Sequence, residues 1–101
     1  MSNFKAIVSL LGITIPAKGN DGSKINRRIE DSSTNARNLE VIRLFDNGHC
    51  RVSSVTEVPK TQDKGLTFKV EFNTGDNLDV QGVIERFNET FVFNSITEVS
   101  N

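Results

Sequence analysis

Residues 66–72 read Leu-Thr-Phe-Lys-Val-Glu-Phe, with an apolar side chain at every second position. A repeat of two places Leu66, Phe68, Val70 and Phe72 on one face and Thr67, Lys69 and Glu71 on the other. That is the pattern of a half-buried β-strand. A strand of this kind needs partner strands and a covering layer, and 101 residues supply one such core. Residues 1–101 are therefore read as a single domain. The chain has seven Phe and neither Trp nor Tyr. Phe has no polar tip to place in water, so these rings are assigned mainly to the interior.

Alternation recurs along the chain. Phe4, Ala6, Val8 and Leu10 share one parity, and Leu11, Ile13 and Ile15 take up the other. Gly12 lies where a bend between the two runs costs little. A long bent strand fits closure of a small barrel, with Pro16 ending its pairing. Residues 17–24 (AKGNDGSK) have loop composition and are the expected partner-contacting loop. Ile25 and Ile29 fit either one helical turn or a short exposed strand over residues 25–29.

Residues 31–48 also allow two readings. Capping residue types at 31–35 can start a helix covering Ala36, Leu39, Ile42 and Phe45 that ends near Gly48. Alternatively, residues 39–45 form a strand that turns at Asp46-Asn47-Gly48 into residues 50–58. β-Branched Val41 and Ile42 and the Asn-Gly pair favour the hairpin. Further on, residues 73–77 form a turn, and Leu78 and Val80 lead into a strand containing Gly82, Val83, Ile84 and Phe87. Residues 88–90 turn again into a strand over 91–99. Six to seven strands, with at most one short helix, point to an all-β fold: a small antiparallel barrel or sandwich.

Val70-x-Phe72-x-Thr74-Gly75 followed by Gly82-Val83-Ile84-x-x-Phe87-Asn88 resembles the first half of an Sm-type RNA-binding motif, over about a fifth of the chain. The same stretch is equally similar to strands of OB-fold and SH3-like barrels. The resemblance implies a small barrel and carries no RNA-contacting residue to this sequence.

Residues able to do chemistry are few. His49 and Cys50 are the sole His and Cys. Neighbouring strand side chains point to opposite faces, so the two cannot act as a pair, and a structural zinc site needs four ligands. The expected arrangement is a His at a turn exit beside a buried Cys. Glu30/Asp31, Asp76/Asp79 and Glu85/Glu89 flank turns or exposed edges and are read as solvated charge. Gly19, Gly22, Gly75 and Gly82 form no phosphate-binding loop. Asn88-Glu89-Thr90 has the spacing of a glycosylation acceptor and is read as a hairpin turn. No catalytic residue, metal or cofactor is expected, and the chain is not read as an enzyme.

Charge narrows the partners. The net charge is -1, unlike the broad positive field of duplex DNA binders. Residues 1–51 nevertheless hold eight Lys/Arg against five Asp/Glu, and residues 52–101 hold four against eight. Lys18, Lys24, Arg27, Arg28, Arg37, Arg43 and Arg51 could converge on a barrel. The expected function is a non-catalytic protein-interaction module, an accessory or assembly subunit that binds a protein or a second copy of itself. The competing expectation is single-stranded nucleic acid on an OB- or Sm-like barrel. There Arg27, Arg28, Arg43 and Arg51 would grip phosphates, Lys18 and Lys24 would add charge, and Phe45 would stack on bases. No run approaches the ~20 apolar residues of a membrane span, and residues 1–5 do not resemble an export signal. A cytoplasmic, membrane-free protein is the expectation.

Overall fold

The structure, a computed structural model, describes residues 2–10, 14–18, 24–28, 32–59 and 66–99, with backbone alone for 14–18 and 24–28. The elements run β1 (Ser2–Leu10), β2 (Thr14–Lys18), β3 (Lys24–Arg28), α1 (Thr34–Asn47), β4 (Cys50–Val58), β5 (Thr67–Thr74), α2 (Val80–Arg86) and β6 (Phe91–Val99). Four strands form one antiparallel sheet in the order β4-β5-β1-β6, and β2 and β3 pair with each other as a separate ribbon. Apart from the ribbon, the chain reads β-α-β-β-α-β, and each helix links two strands that have a third between them. This is the split βαβ, or ferredoxin-like, plan.

The alternation found in the sequence sets the sheet's inner face. Phe4, Ala6 and Val8 of β1 lie opposite Phe72, Val70 and Phe68 of β5, and all six are buried. Helix α1 adds Val41 and Phe45, helix α2 adds Val83, and Phe87 and Phe91 follow it. Both helices therefore cover the same face. Phe45 is the centre of this layer. Its ring lies 4.7 Å from Phe72, 4.8 Å from Phe87 and 4.9 Å from Phe91, within the range where offset aromatic pairs attract.

Local signals explain the helix ends. Ser33 caps α1 by accepting from the Ala36 amide at 3.1 Å, and Asp79 caps α2 by accepting from the Gly82 amide at 2.8 Å. The Arg37 guanidinium donates to both Glu57 carboxylate oxygens, at 2.6 and 2.9 Å, which ties the first turn of α1 to β4. At the other end, His49 takes φ 62°, the left-handed conformation that closes many helices and that glycine usually occupies. Gly48 stands one place earlier for want of space: a Cβ there would sit 2.4 Å from the Phe87 ring.

Five expectations are corrected in whole or in part. The sheet is four-stranded and open, so the fold is neither a barrel nor a six-to-seven-strand sandwich. Residues 39–47 are helix, so the favoured hairpin is absent, and Asn47-Gly48 ends α1. The helical alternative holds for the element, with Ser33 as its cap and Gly48 at its end, and for Phe45, which is buried; the rest of its face differs, since Val41 is buried while Leu39 is 58% and Ile42 37% exposed. The presumed strand through Gly82 is helix α2, which removes the strand pair on which the Sm-type resemblance depended. Pro16 does not end pairing either; it lies opposite Asn26 within the ribbon. The bend placed at Gly12, the tip of the 17–24 loop and the Glu30/Asp31 pair lie outside the described residues.

Three substitutions test this core and the end of α1. Phe45→Ala is expected to cost about 3–5 kcal/mol in denaturant unfolding, and Gly48→Ala about 1–3 kcal/mol through overpacking against Phe87. His49→Gly, which relieves a positive φ, should leave stability unchanged or raise it by about 1 kcal/mol. A neutral Phe45→Ala would contradict the core described here.

Candidate binding surface

Because both helices lie on one side, the other face of the sheet has no covering layer among the described residues. Register fixes its membership. Asn3, Lys5, Ile7 and Ser9 of β1 lie opposite Asn73, Glu71, Lys69 and Thr67 of β5. On the β6 side, Val99, Thr97, Ser95 and Val92 continue these rows. On the β4 side they continue into Arg51, Ser54, Thr56 and Val58. Each flanking strand pairing has a register shift, at Ile7/Val8 against β6 and at Val52/Ser54 against β4. Bulges of this kind raise local twist.

The face is polar with apolar margins. Lys5 Nζ and Glu71 Oε1 are 3.7 Å apart and about half exposed, so water screens most of their attraction. Ser9 and Thr67 share a hydroxyl hydrogen bond of 3.1 Å, and Asn94 Nδ2 donates to Ser9 Oγ at 2.9 Å. Val92 and Val99, both on edge strand β6, are 48% and 43% exposed. At the Val99 end, a shallow depression of about 230 Å³ is lined by Asn3, Phe4, Ser53, Glu71, Phe72 and Val99.

The candidate residues from the sequence do not converge on this surface. Lys18 and Lys24 are direct cross-strand partners in the ribbon, where Arg27 and Arg28 lie opposite Ile15 and Thr14. Those four are brought together by backbone register. Arg43 is on α1, in the helical layer, and its guanidinium is held by both Glu40 carboxylate oxygens. Arg51 is exposed on the uncovered face of β4. Phe45 is fully buried, so it offers no ring to a base. The same holds beyond Phe45: six of the seven Phe are buried, and Phe93 packs against the same core. The uncovered face therefore contains no aromatic side chain.

Cys50 and His49 behave as their positions dictate. Cys50 is buried and its Sγ contacts the Gly48 carbonyl at 3.6 Å, while His49 is exposed. Burial pushes the Cys50 thiol up, against a smaller opposing pull from Arg86. Arg86 was not singled out in the sequence. Its guanidinium donates to the Gly48 carbonyl at 2.8 Å and to Asp76 Oδ2 at 3.2 Å, and so joins α2 to the end of α1. Among the described residues no three His, Cys, Asp or Glu side chains are grouped to hold a metal ion. Among the described residues no helix is long and apolar enough to cross a membrane.

Comparison with protein-family models, with curated proteins and with solved structures found no match to this chain.

The raised thiol fixes a sign for pH dependence. A group whose folded pKa exceeds its unfolded one contributes stability that is present below the unfolded value and lost as pH rises through the folded one. Unfolding free energy should therefore decline above pH ~8.5, the ordinary thiol value. Cys50→Ala should flatten that decline relative to the native chain; an unchanged slope would contradict the burial effect.

Proposed function

We propose that this chain is a non-catalytic module that binds a protein partner across the uncovered face of its sheet and the β6 margin of that face. The observation that carries this reading is the one-sided sheet. Two helices bury one face, while the other presents a polar field with Val92 and Val99 exposed along one edge. Exposed apolar side chains beside satisfied polar groups are the usual make-up of a non-obligate protein interface. Edge strands add backbone donors and acceptors that an incoming strand can use.

Single-stranded nucleic acid is the weaker reading. Binders of that class combine basic grooves with stacking aromatics, and every aromatic ring in this chain belongs to the core. The basic residues also divide among the ribbon, the helical layer and the sheet face.

Capture from the native source, compared between the native chain and a Val92→Lys/Val99→Lys variant, tests the reading. A partner retained by the native chain should be held at least tenfold more weakly by the variant, which should show an unchanged circular dichroism spectrum. Equal capture by both would contradict the role given to this face. Fluorescence anisotropy with short oligonucleotides checks the alternative: binding tighter than tens of micromolar that falls steeply with salt would replace protein by nucleic acid.

A further inference from the structure

Strand β6 is an edge with few of the features that block strand addition. It is nine residues long, contains no Pro and no Lys, and pairs on one side with β1. Natural edges are usually protected by such residues or by a covering element. Its bulge, opposite Ile7/Val8, interrupts part of its length. Charge then selects what can lie along it. From residue 75 to residue 99 the chain has Asp76, Asp79, Glu85, Glu89 and Glu98 against one cation, Arg86. Arg86 is occupied by Asp76 and by the Gly48 carbonyl. Glu85, Glu89 and Glu98 are exposed and none is ion-paired among the described residues. Glu89 directly precedes β6 and Glu98 lies near its far end, so the edge is bracketed by negative charge. The opposite edge, β4, carries Arg51 as well as Glu57 and makes no such selection.

The chain itself contains a segment with the complementary character. Strands β2 and β3 hold Lys18, Lys24, Arg27 and Arg28 and no acidic residue. They pair with each other and not with the four-stranded sheet. Of the two, β2 contains Pro16, which has no amide hydrogen to give a neighbouring strand. Strand β3 has no Pro and carries three of the four cations in five residues.

We propose that the ribbon of one copy adds through β3 to the β6 edge of a second copy, its positive charge lying in the negative field of Glu89 and Glu98. This rests on the protein-binding reading above and names the partner as the chain itself. The contact joins two different surfaces, so it either closes reciprocally between two copies or runs on head to tail. Opposite charges at the rim also make association salt-sensitive.

Sedimentation velocity on the full chain at low and high salt tests this with two charge reversals, Arg27→Glu/Arg28→Glu and Glu89→Lys/Glu98→Lys. The native chain should associate at low salt and dissociate as salt rises. Each reversal alone should weaken association roughly tenfold or more, and an equimolar mixture of the two should restore it. Folding of each variant is checked by circular dichroism; if either is unfolded, the neutral pair Arg27→Gln/Arg28→Gln and Glu89→Gln/Glu98→Gln replaces it. A chain that stays monomeric at low salt, or association that neither reversal weakens, overturns the proposal. Loss of association in Val92→Lys/Val99→Lys alone would overturn the ribbon contact while leaving the protein-binding face standing.

Discussion

The burial of Phe45 between the two helices and the sheet is the contact on which the rest of the molecule depends. Its ring reaches β5 through Phe72 and the α2–β6 connection through Phe87 and Phe91. It therefore holds three elements that are far apart in the chain. A sheet covered on one side must find enough apolar area there, because the other side contributes little. Aromatic rings supply large area per residue, which accounts for the use of all seven Phe in one layer.

That concentration has a functional consequence. Placing every ring inside leaves the outer face with Lys, Arg, Glu, Ser, Thr and Asn, together with a few β-branched side chains. Such a face cannot stack bases, and its hydroxyl and ion-pair contacts are already made across strands. What it offers is area, edge backbone and a margin of exposed Val. These are the requirements of a protein contact, and they underlie the reading of the chain as an interaction module.

Part of this was legible in the sequence and part was not. The strand at residues 66–72 could be read because strict alternation has one physical meaning when one face is buried, and the strand at 91–99 from the turn that precedes it at 88–90. The buried Cys50 beside an exposed His49 followed from the burial habit of a free thiol and from the position of His49 at a turn exit. Helix α1 was hidden by β-branched Val41 and Ile42 and by Asn47-Gly48, all of which favour hairpins in isolation. Tertiary packing of Val41 and Phe45 overrode that local preference. The glycine proved to be a matter of room beside Phe87, which no local pattern records. Helix α2 has a legible signal: Asp79 as a cap, then Val80, Val83, Ile84 and Phe87 at the spacing of one helical face, which the apolar alternation around Gly82 obscures. The basic residues could be counted but not placed, since only register shows that four of them share the ribbon while Arg43 and Arg51 lie on different layers.

Methyl NMR with a soluble paramagnetic agent tests the one-sided sheet most directly. The account predicts strong broadening of the Val92 and Val99 methyls and near-complete protection of Val8, Val41, Val70 and Val83. Equal protection of both sets at high salt, where copies are apart, would mean that the face is covered within the monomer, and would contradict the surface on which the proposed binding depends.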